Sequence, residues 1–421
     1  MKKLLTLALL LITAQVNAQT PCNLFPRYDQ EVFSNVDILI DIPFGSNVDY
    51  TGATQTLKMD IYQPQGDTLS VRPLIIFAHG GSFVAGDKSN SDQVNLCMAF
   101  AKRGYVTATV NYRLGIAFPI GAATATDAVY RAQQDMKAAI RFFRKDAATA
   151  NQYKIDPSTV FIGGTSAGAF TALHTAYMNT YPELPSTIDT TALGPIEGNS
   201  GNPGYTTDVN AVINLCGAIG ESTWIIPGDA PLCSMHGTAD GTVPYGAQML
   251  YLLGVIPIQV VNGSYAIHSY LNSSSLPGVM YTWYGAPHVP YDGNTVSAQA
   301  YLDTTLRFVS NFLYDYLGCT PSDTNPAPNT VYTTTSIHNS AATNSLFSAI
   351  NPAGSEIILN GIQNEGILSI FDETGRKVRS QSLKQGNSRI SIPCSDLENG
   401  LYFIHFECVN GVQMTKIMIR H

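Results

Sequence analysis

The chain has 421 residues, 45% of them hydrophobic and only 13% charged. So large an apolar share excludes a disordered chain and leaves room for two or three domains of roughly 100–200 residues each. The 23 Lys and Arg against 31 Asp and Glu give a formal net charge of −8, which argues against a nucleic-acid partner, because phosphates demand clustered cations.

The chain begins with an expected export signal over residues 1–18. Lys2 and Lys3 form a basic start, Leu4 to Ile12 an apolar run, and Val16-Asn17-Ala18 offers small residues for cleavage after Ala18. The run is shorter than the roughly 20 apolar residues of a spanning helix, and no later segment qualifies, so no membrane span is expected. Export permits disulfides. Of the seven cysteines, Cys216 with Cys233 and Cys394 with Cys408 are nearest in sequence, while Cys22 with Cys319 would tie together the ends of the large domain. Spacing does not choose among these pairings, and without a Cys-x-x-Cys pair neither a thiol redox site nor a zinc ribbon is expected.

Residues 19–319 alternate strand-like and helix-like runs. Pro73 to Ala78 is a short apolar strand that leads into glycines, and Val106 to Val110 reads as a β-branched strand. Ala128 to Lys145 has apolar positions at helical spacing, with Asp127 placed to cap it. Val160 to Ile162 is followed by a helix over Ala167 to Met178. Leu232 to His236 and Met280 to Tyr284 are again strand-like. This order predicts a mostly parallel sheet covered on both faces. Leu184 to Asp208, rich in Gly, Pro and Thr, reads as a loop able to lie over a site. No Lys or Arg occurs between Lys154 and Arg307, so a pocket built there has no fixed cation for an anionic substrate.

Residues 320–345 are rich in Thr, Ser, Asn and Pro and read as a linker. From 346 to 421 the hydrophobic period becomes two. Glu356 to Leu359, Gly366 to Phe371, Arg389 to Ile392 and Leu401 to Phe406 are short strands separated by Gly and Asn turns, the pattern of a small β-sandwich. It holds no Ser, His and Asp constellation.

The chemistry lies in the large domain. Gly164-Thr165-Ser166-Ala167-Gly168 fits Gly-x-Ser-x-Gly between a predicted strand and a predicted helix. In that context the serine occupies a sharp turn and its hydroxyl projects above the sheet. A serine needs a base, and the base an orienting acid. Asp240 follows the Leu232 strand and His288 follows the Met280 strand, in the order Ser, Asp, His that this architecture uses. Asp229 and His268 are the alternatives, although Asp229 precedes its strand. His79-Gly80-Gly81-Ser82-Phe83 follows the first parallel strand, and its amides at Gly81 and Ser82, with that of Ala167, are expected to receive a developing oxyanion. His79 is expected to fix this loop rather than act as a base. Neither a His-Glu-x-x-His metal motif nor a Gly-x-Gly-x-x-Gly fingerprint occurs, so no metal and no cofactor is expected.

These residues, with Asn111-Tyr112-Arg113-Leu114-Gly115, resemble the α/β-hydrolase esterases of the carboxylesterase and hormone-sensitive-lipase-like type, and secreted acetyl-xylan and feruloyl esterases. The resemblance covers about residues 35–316. Ser82 departs from it, standing where the lipase-like branch often has a third glycine. Asn351-Pro352, Ile370 to Val378, Asn399 to Tyr402 and Lys416 to Arg420 resemble the type A C-terminal sorting domain of the type IX secretion system. The resemblance implies an exported or cell-surface serine esterase handed over by that machinery. Ser166, His288 and Asp240 would cleave neutral carboxylic esters, on acetylated or feruloylated polysaccharide or short acyl esters. Tyr245, Tyr251, Tyr265, Tyr270, Tyr281, Tyr284 and Tyr291 either stack on such substrates or pack. A serine peptidase of the same fold and a non-catalytic binding protein are the alternatives.

Overall fold

The computed structural model describes residues 26–317, 348–349, 353, 355–362, 364–372, 376–384, 389–408 and 411–421. The expected export signal, Cys22, Cys319 and the expected linker lie outside them. The chain divides into two compact units, Met1–Thr335 and Ser336–His421.

In the first unit the strands are β1 (Val36–Val48), β2 (Thr54–Pro64), β3 (Arg72–Ala78), β4 (Val106–Val110), β5 (Ile155–Thr165), β6 (Ala211–Leu215), β7 (Ala218–Ile219), β8 (Leu232–Gly237), β9 (Ala247–Leu252), β10 (Ile256–Gly263) and β11 (Gly278–Trp283). The helices are α1 (Ser91–Lys102), α2 (Ala122–Ala148), α3 (Ala167–Tyr177), α4 (Thr190–Leu193), α5 (Ser264–Ser273) and α6 (Val296–Asp315). Eight strands make one sheet in the order β1-β2-β4-β3-β5-β6-β8-β11. Pairing is antiparallel from β1 to β2 and from β2 to β4, and parallel from there to β11.

Burial explains the parallel half. Every residue of β3, β4, β6 and β8 is buried, as required when helices cover both faces. Leu74, Ile76 and Ala78 of β3 join the core under α2, α3 and α5, while Ile75 and Phe77 point into the core under α1 and α6. This two-residue alternation is the pleat itself. The sheet is thus the mostly parallel α/β-hydrolase sheet expected from the sequence.

Three details differ from the sequence expectation. Helix α2 starts at Ala122, where the Thr124 hydroxyl accepts from the Gly121 amide at 3.1 Å, so Asp127 lies inside the helix and does not cap it. A small antiparallel sheet, β7-β10-β9, follows the main strands at β6 and β8; β9 is largely exposed, β10 is half-buried, and both lack a clean alternation. Cys216, Cys233 and Cys408 are thiols, so neither pair of neighbouring cysteines is bridged. Among the described residues no helix is long and apolar enough to cross a membrane.

The second unit has strands β12 (Ser348–Ala349), β13 (Glu356–Asn360), β14 (Gly366–Asp372), β15 (Lys377–Leu383), β16 (Arg389–Pro393), β17 (Gly400–Cys408) and β18 (Gly411–Ile419). They form two antiparallel sheets, β12-β13-β16 and β15-β14-β17-β18. Ile357, Leu359, Ile390 and Ile392 from one sheet meet Leu368, Ile370, Ile404, Phe406, Ile417 and Ile419 from the other in a single core, the expected sandwich.

Candidate active site

Strand β5 enters α3 through a turn with no room for side chains. A Cβ on Gly164 would collide with the Gly168 carbonyl, and one on Gly168 with the Ala78 carbonyl of β3. With the chain this close, Ser166 is held at φ 56° and ψ −121°. That left-handed backbone costs an ordinary residue energy and persists only where its surroundings enforce it. Here the Ser166 amide donates to the Leu215 carbonyl at 2.9 Å, and the Ser166 carbonyl accepts from Phe170 at the start of α3 at 3.0 Å.

Two later loops converge on this turn because they are stapled together. The Thr238 amide donates to the Trp283 carbonyl at 3.0 Å and the Ala239 amide to the Ala286 carbonyl at 3.1 Å, while the Gly285 amide donates to the Thr238 hydroxyl at 2.8 Å. Asp240 and His288 ride on these loops. Asp240 Oδ1 accepts the amides of Thr242 and Val243, each at 2.8 Å. His288 Nδ1 lies 2.6 Å from Asp240 Oδ2 and its Nε2 lies 2.9 Å from Ser166 Oγ. A carboxylate only accepts, so Nδ1 carries the proton and Nε2 is free to accept the serine hydroxyl. Burial of the Asp240 side chain alone would raise its pKa. Hydrogen bonds from His236 and His288 and the charge of His288 outweigh that and hold the carboxyl below its usual range.

The His79 loop closes the other side. Gly81, Ser82 and Phe83 take φ values of 118°, 54° and 62° in succession. The Gly81 carbonyl accepts from Val84 and Ala85, each at 3.0 Å, and a Cβ there would strike the Ala85 carbonyl. A Cβ on Gly80 would sit 3.4 Å from the Ser166 Cβ, so the loop lies against the serine. The amides of Gly81, Ser82 and Ala167 donate to no acceptor among the described residues. His79 is buried. Its Nδ1 bonds the Gly80 carbonyl at 2.7 Å, its ring stacks on Tyr112 at 4.4 Å, and the Tyr112 hydroxyl donates to its carbonyl at 2.8 Å. Burial lowers its pKa, and the neutral ring supports the loop.

Beyond the serine lies a cavity of about 80 Å³. Ser166, Phe170, His174 and Met178 line it at four-residue spacing, one face of α3 with the residues just before and after it. Val129 of α2, Trp224, and Leu250, Tyr251, Ile258 and Val261 of the β9–β10 hairpin make the opposite walls. Among the described residues, no Asp, Glu, Lys or Arg lines it. His174 is pushed down to about 4 by burial, with its Nδ1 bonded to the Phe170 carbonyl at 2.7 Å, so the cavity carries no charge near neutral pH. Pro185, from the expected covering loop, also lines it. Of the seven tyrosines, Tyr251 faces the cavity, whereas Tyr291 is buried with its hydroxyl 2.7 Å from that of Thr165.

The alternative residues lie elsewhere. Asp229 accepts the Ile226 amide at 2.8 Å in a turn before β8. His268 is buried on α5, with Nε2 2.9 Å from the Ser234 hydroxyl. Cys216, Asp240 and His288 offer three donor atoms within 4.8 Å of one another. However, Asp240 Oδ2 and His288 Nδ1 already bond each other, and burial raises the Cys216 thiol, so this set is poorly suited to a metal. One participant lacks any expectation from sequence. His236 Nε2 lies 3.1 Å from Asp240 Oδ2. Its spacing of four residues before Asp240 was the available signal. A strand leading into a turn hides such spacing, because no helical face links the two positions.

Residues 59–223 match the family model BD-FAE, and residues 351–420 match the secretion system C-terminal sorting domain. Neuroligin-like protein glit-1 of Caenorhabditis elegans is 30% identical over 142 residues, which is 33% of this chain and 18% of that protein. The chain therefore spans less than a fifth of that relative's length. Similar solved structures include esterase Est2 of the planctomycete Thermogutta terrifontis with propionate bound, at 20% identity, TM-score 0.46, and coverage of 69% of this chain and 97% of that one. Another is a truncated carbohydrate esterase from gut microbiota, at 20% identity, TM-score 0.46, and coverage of 68% and 98%.

Proposed function

We propose that this chain, which joins an esterase-like α/β-hydrolase domain to a secretion sorting domain, is an exported serine esterase with Ser166 as nucleophile. The reading is carried by one observation, the chain of contacts from Ser166 Oγ to His288 Nε2 at 2.9 Å and from His288 Nδ1 to Asp240 Oδ2 at 2.6 Å, set beside uncommitted amides. Ser166 attacks the ester carbonyl while His288 takes its proton. Charge develops on the carbonyl oxygen and is received by the amides of Gly81, Ser82 and Ala167. The imidazolium is stabilised by Asp240 and gives its proton to the leaving alkoxide. Water, activated by the same imidazole, then releases the acyl group.

The cavity supports a neutral acyl group that is longer than acetyl. From Ser166 to Met178 the lining face runs about 18 Å at ~1.5 Å per residue, and its walls are apolar and aromatic. A short aliphatic acyl group fits this space, and an aryl-propenoyl group, as on feruloylated polysaccharide, would enter it with one end and extend along its apolar walls. Export through residues 1–18 and handover to a type IX machinery through residues 351–420 complete the reading.

The test is hydrolysis of a graded acyl series with p-nitrophenol as leaving group, alongside methyl ferulate and acetylated xylan, by wild type and Ser166→Ala. Turnover rising from acetyl toward longer or aryl acyl groups, and lost in the variant, is expected. Hydrolysis retained by a folded Ser166→Ala protein would refute it.

A further inference from the structure

Behind the proposed acid runs a second, wholly buried chain of polar side chains. Asn214 on β6, Ser234 and His236 on β8, and Ser264 at the start of α5 are all inaccessible to solvent. Their proton positions follow from elimination. The Gly217 amide donates to Asn214 Oδ1 at 3.0 Å, which fixes the amide, so Asn214 Nδ2 faces and donates to both Ser234 Oγ and Ser264 Oγ, each at 3.0 Å. The Ser264 oxygen, already accepting, has its own hydrogen left for His236 Nδ1, 2.8 Å away. His236 must then carry its proton on Nε2, which faces two groups that only accept, Asp240 Oδ2 at 3.1 Å and the Val243 carbonyl at 3.2 Å. Val243 in turn donates its amide to Asp240 Oδ1. The carboxylate is held on all sides, by two amides on one oxygen and two imidazoles on the other.

We propose that His236 is a positioning residue for the reaction, a second imidazole donor that orients the Asp240 carboxylate toward His288, with its tautomer set by Ser264 and Asn214. This inference rests on the esterase reading of the same site. His288 alone leaves Asp240 Oδ2 with a spare lone pair inside a dry loop, and an unfilled acceptor there would favour rotation of the carboxylate away from the imidazole or neutralisation. The His236 N–H removes that freedom. It also spreads part of the carboxylate charge, which tempers the pull of Asp240 on the His288 proton. The groups facing His236 are Asp240, Ser264, Thr282 and the edge of Tyr245 at 5.7 Å, with Cys216 and His288 beyond the carboxylate. Tyr245 and Cys216 are both pushed up by burial, so neither contributes a charge change near neutral pH.

The experiment compares His236→Phe, His236→Gln and Ser264→Ala in the full chain. Active sites are counted with a fluorophosphonate, and kcat, KM and the pH profile of kcat/KM are measured on a p-nitrophenyl ester. His236→Phe keeps the ring and loses the donor. Its kcat per titrated site is expected to fall about 10- to 100-fold, the worth of one hydrogen bond to a charged group, with KM within about twofold. The acidic limb of the pH profile should move to higher pH, because the Asp240 carboxylate then keeps its charge unshared beside the imidazole it orients. His236→Gln, which restores an N–H, should recover most of kcat. Ser264→Ala, which frees the tautomer but removes few atoms, should fall between wild type and His236→Phe, and it decides the matter if the Phe variant does not fold. A purely structural role would lower thermal stability and the count of active sites while leaving kcat per site and the acidic limb unchanged. That result, or a Gln variant as impaired as the Phe variant, overturns the proposal. Absence of labelling or hydrolysis in wild type would instead defeat the esterase reading itself.

Discussion

The two units of this chain bury aliphatic strands in the same way, yet they use their interiors differently. The sandwich core of the second unit is almost wholly apolar, built from Ile357, Leu359, Leu368, Ile370, Ile404, Phe406, Ile417 and Ile419. In the first unit, buried strand ends carry Thr165, Asn214, Ser234 and His236, and the loops that follow add Ser166 and Asp240. Burying such groups is tolerable only when partners satisfy them. The network from Ser166 through His288, Asp240, His236 and Ser264 to Asn214 meets that condition. The lesson is that the site can be located by where the interior holds hydrogen-bonded polarity as well as by its motif.

The sharpest way to break the contrast is to remove its chemical end. Ser166→Ala should reduce kcat about 10⁶-fold, because the residues of such a site act as a unit, while a circular dichroism melt stays close to wild type. Asp240→Asn should lower kcat by about 10⁴-fold, as an amide there favours the wrong His288 tautomer; a loss below tenfold would point to another acid.

A cut between the units comes next in size. Removing residues 346–421 should leave kcat and KM of the first unit within about twofold of the full chain while blocking export, which fractionation of a producing cell would detect. Within the sandwich, Ile404→Ala should destabilise that unit by about 2–5 kcal/mol. Denaturant unfolding followed separately from esterase turnover would reveal whether the first unit is untouched.

The smallest expected effect concerns acid stability. The folded-state pKa of Asp240 is depressed, so its contribution to stability is present above the ordinary carboxyl value of about 4 and is lost as pH falls through the lower folded value. Asp240→Asn should therefore flatten the acid side of a plot of unfolding free energy against pH, and an unchanged slope would mean the carboxyl is not held as described.

Much of this was legible in sequence, and physical reasons separate what was from what was not. Val106–Val110 could be placed because four of its five residues are β-branched, which suits a short strand buried on both faces. The residues Ser166, Asp240 and His288 could be singled out because each sits just past a strand-like segment. The start of α2 was missed because Gly121 and Thr124 begin the helix with a backbone contact that leaves little trace in composition, and Asp127 offered a more conventional cap. The β9–β10 hairpin was missed because its faces are half-exposed, and it turned out to wall the cavity. His236 could not be assigned, since Ser264, which meets its Nδ1, and Asn214, which meets Ser264, come from distant elements that only the folded sheet brings together.

The central claim is that Ser166 is the nucleophile, activated by His288 and Asp240. The most direct measurement is peptide mass mapping after a fluorophosphonate has reacted with wild type, His288→Gln and Ser166→Ala. One adduct per chain on the Ser166 peptide of wild type, formed far more slowly in His288→Gln and absent in Ser166→Ala, is the predicted result. An adduct on another residue, or ester hydrolysis that persists in Ser166→Ala, would contradict it.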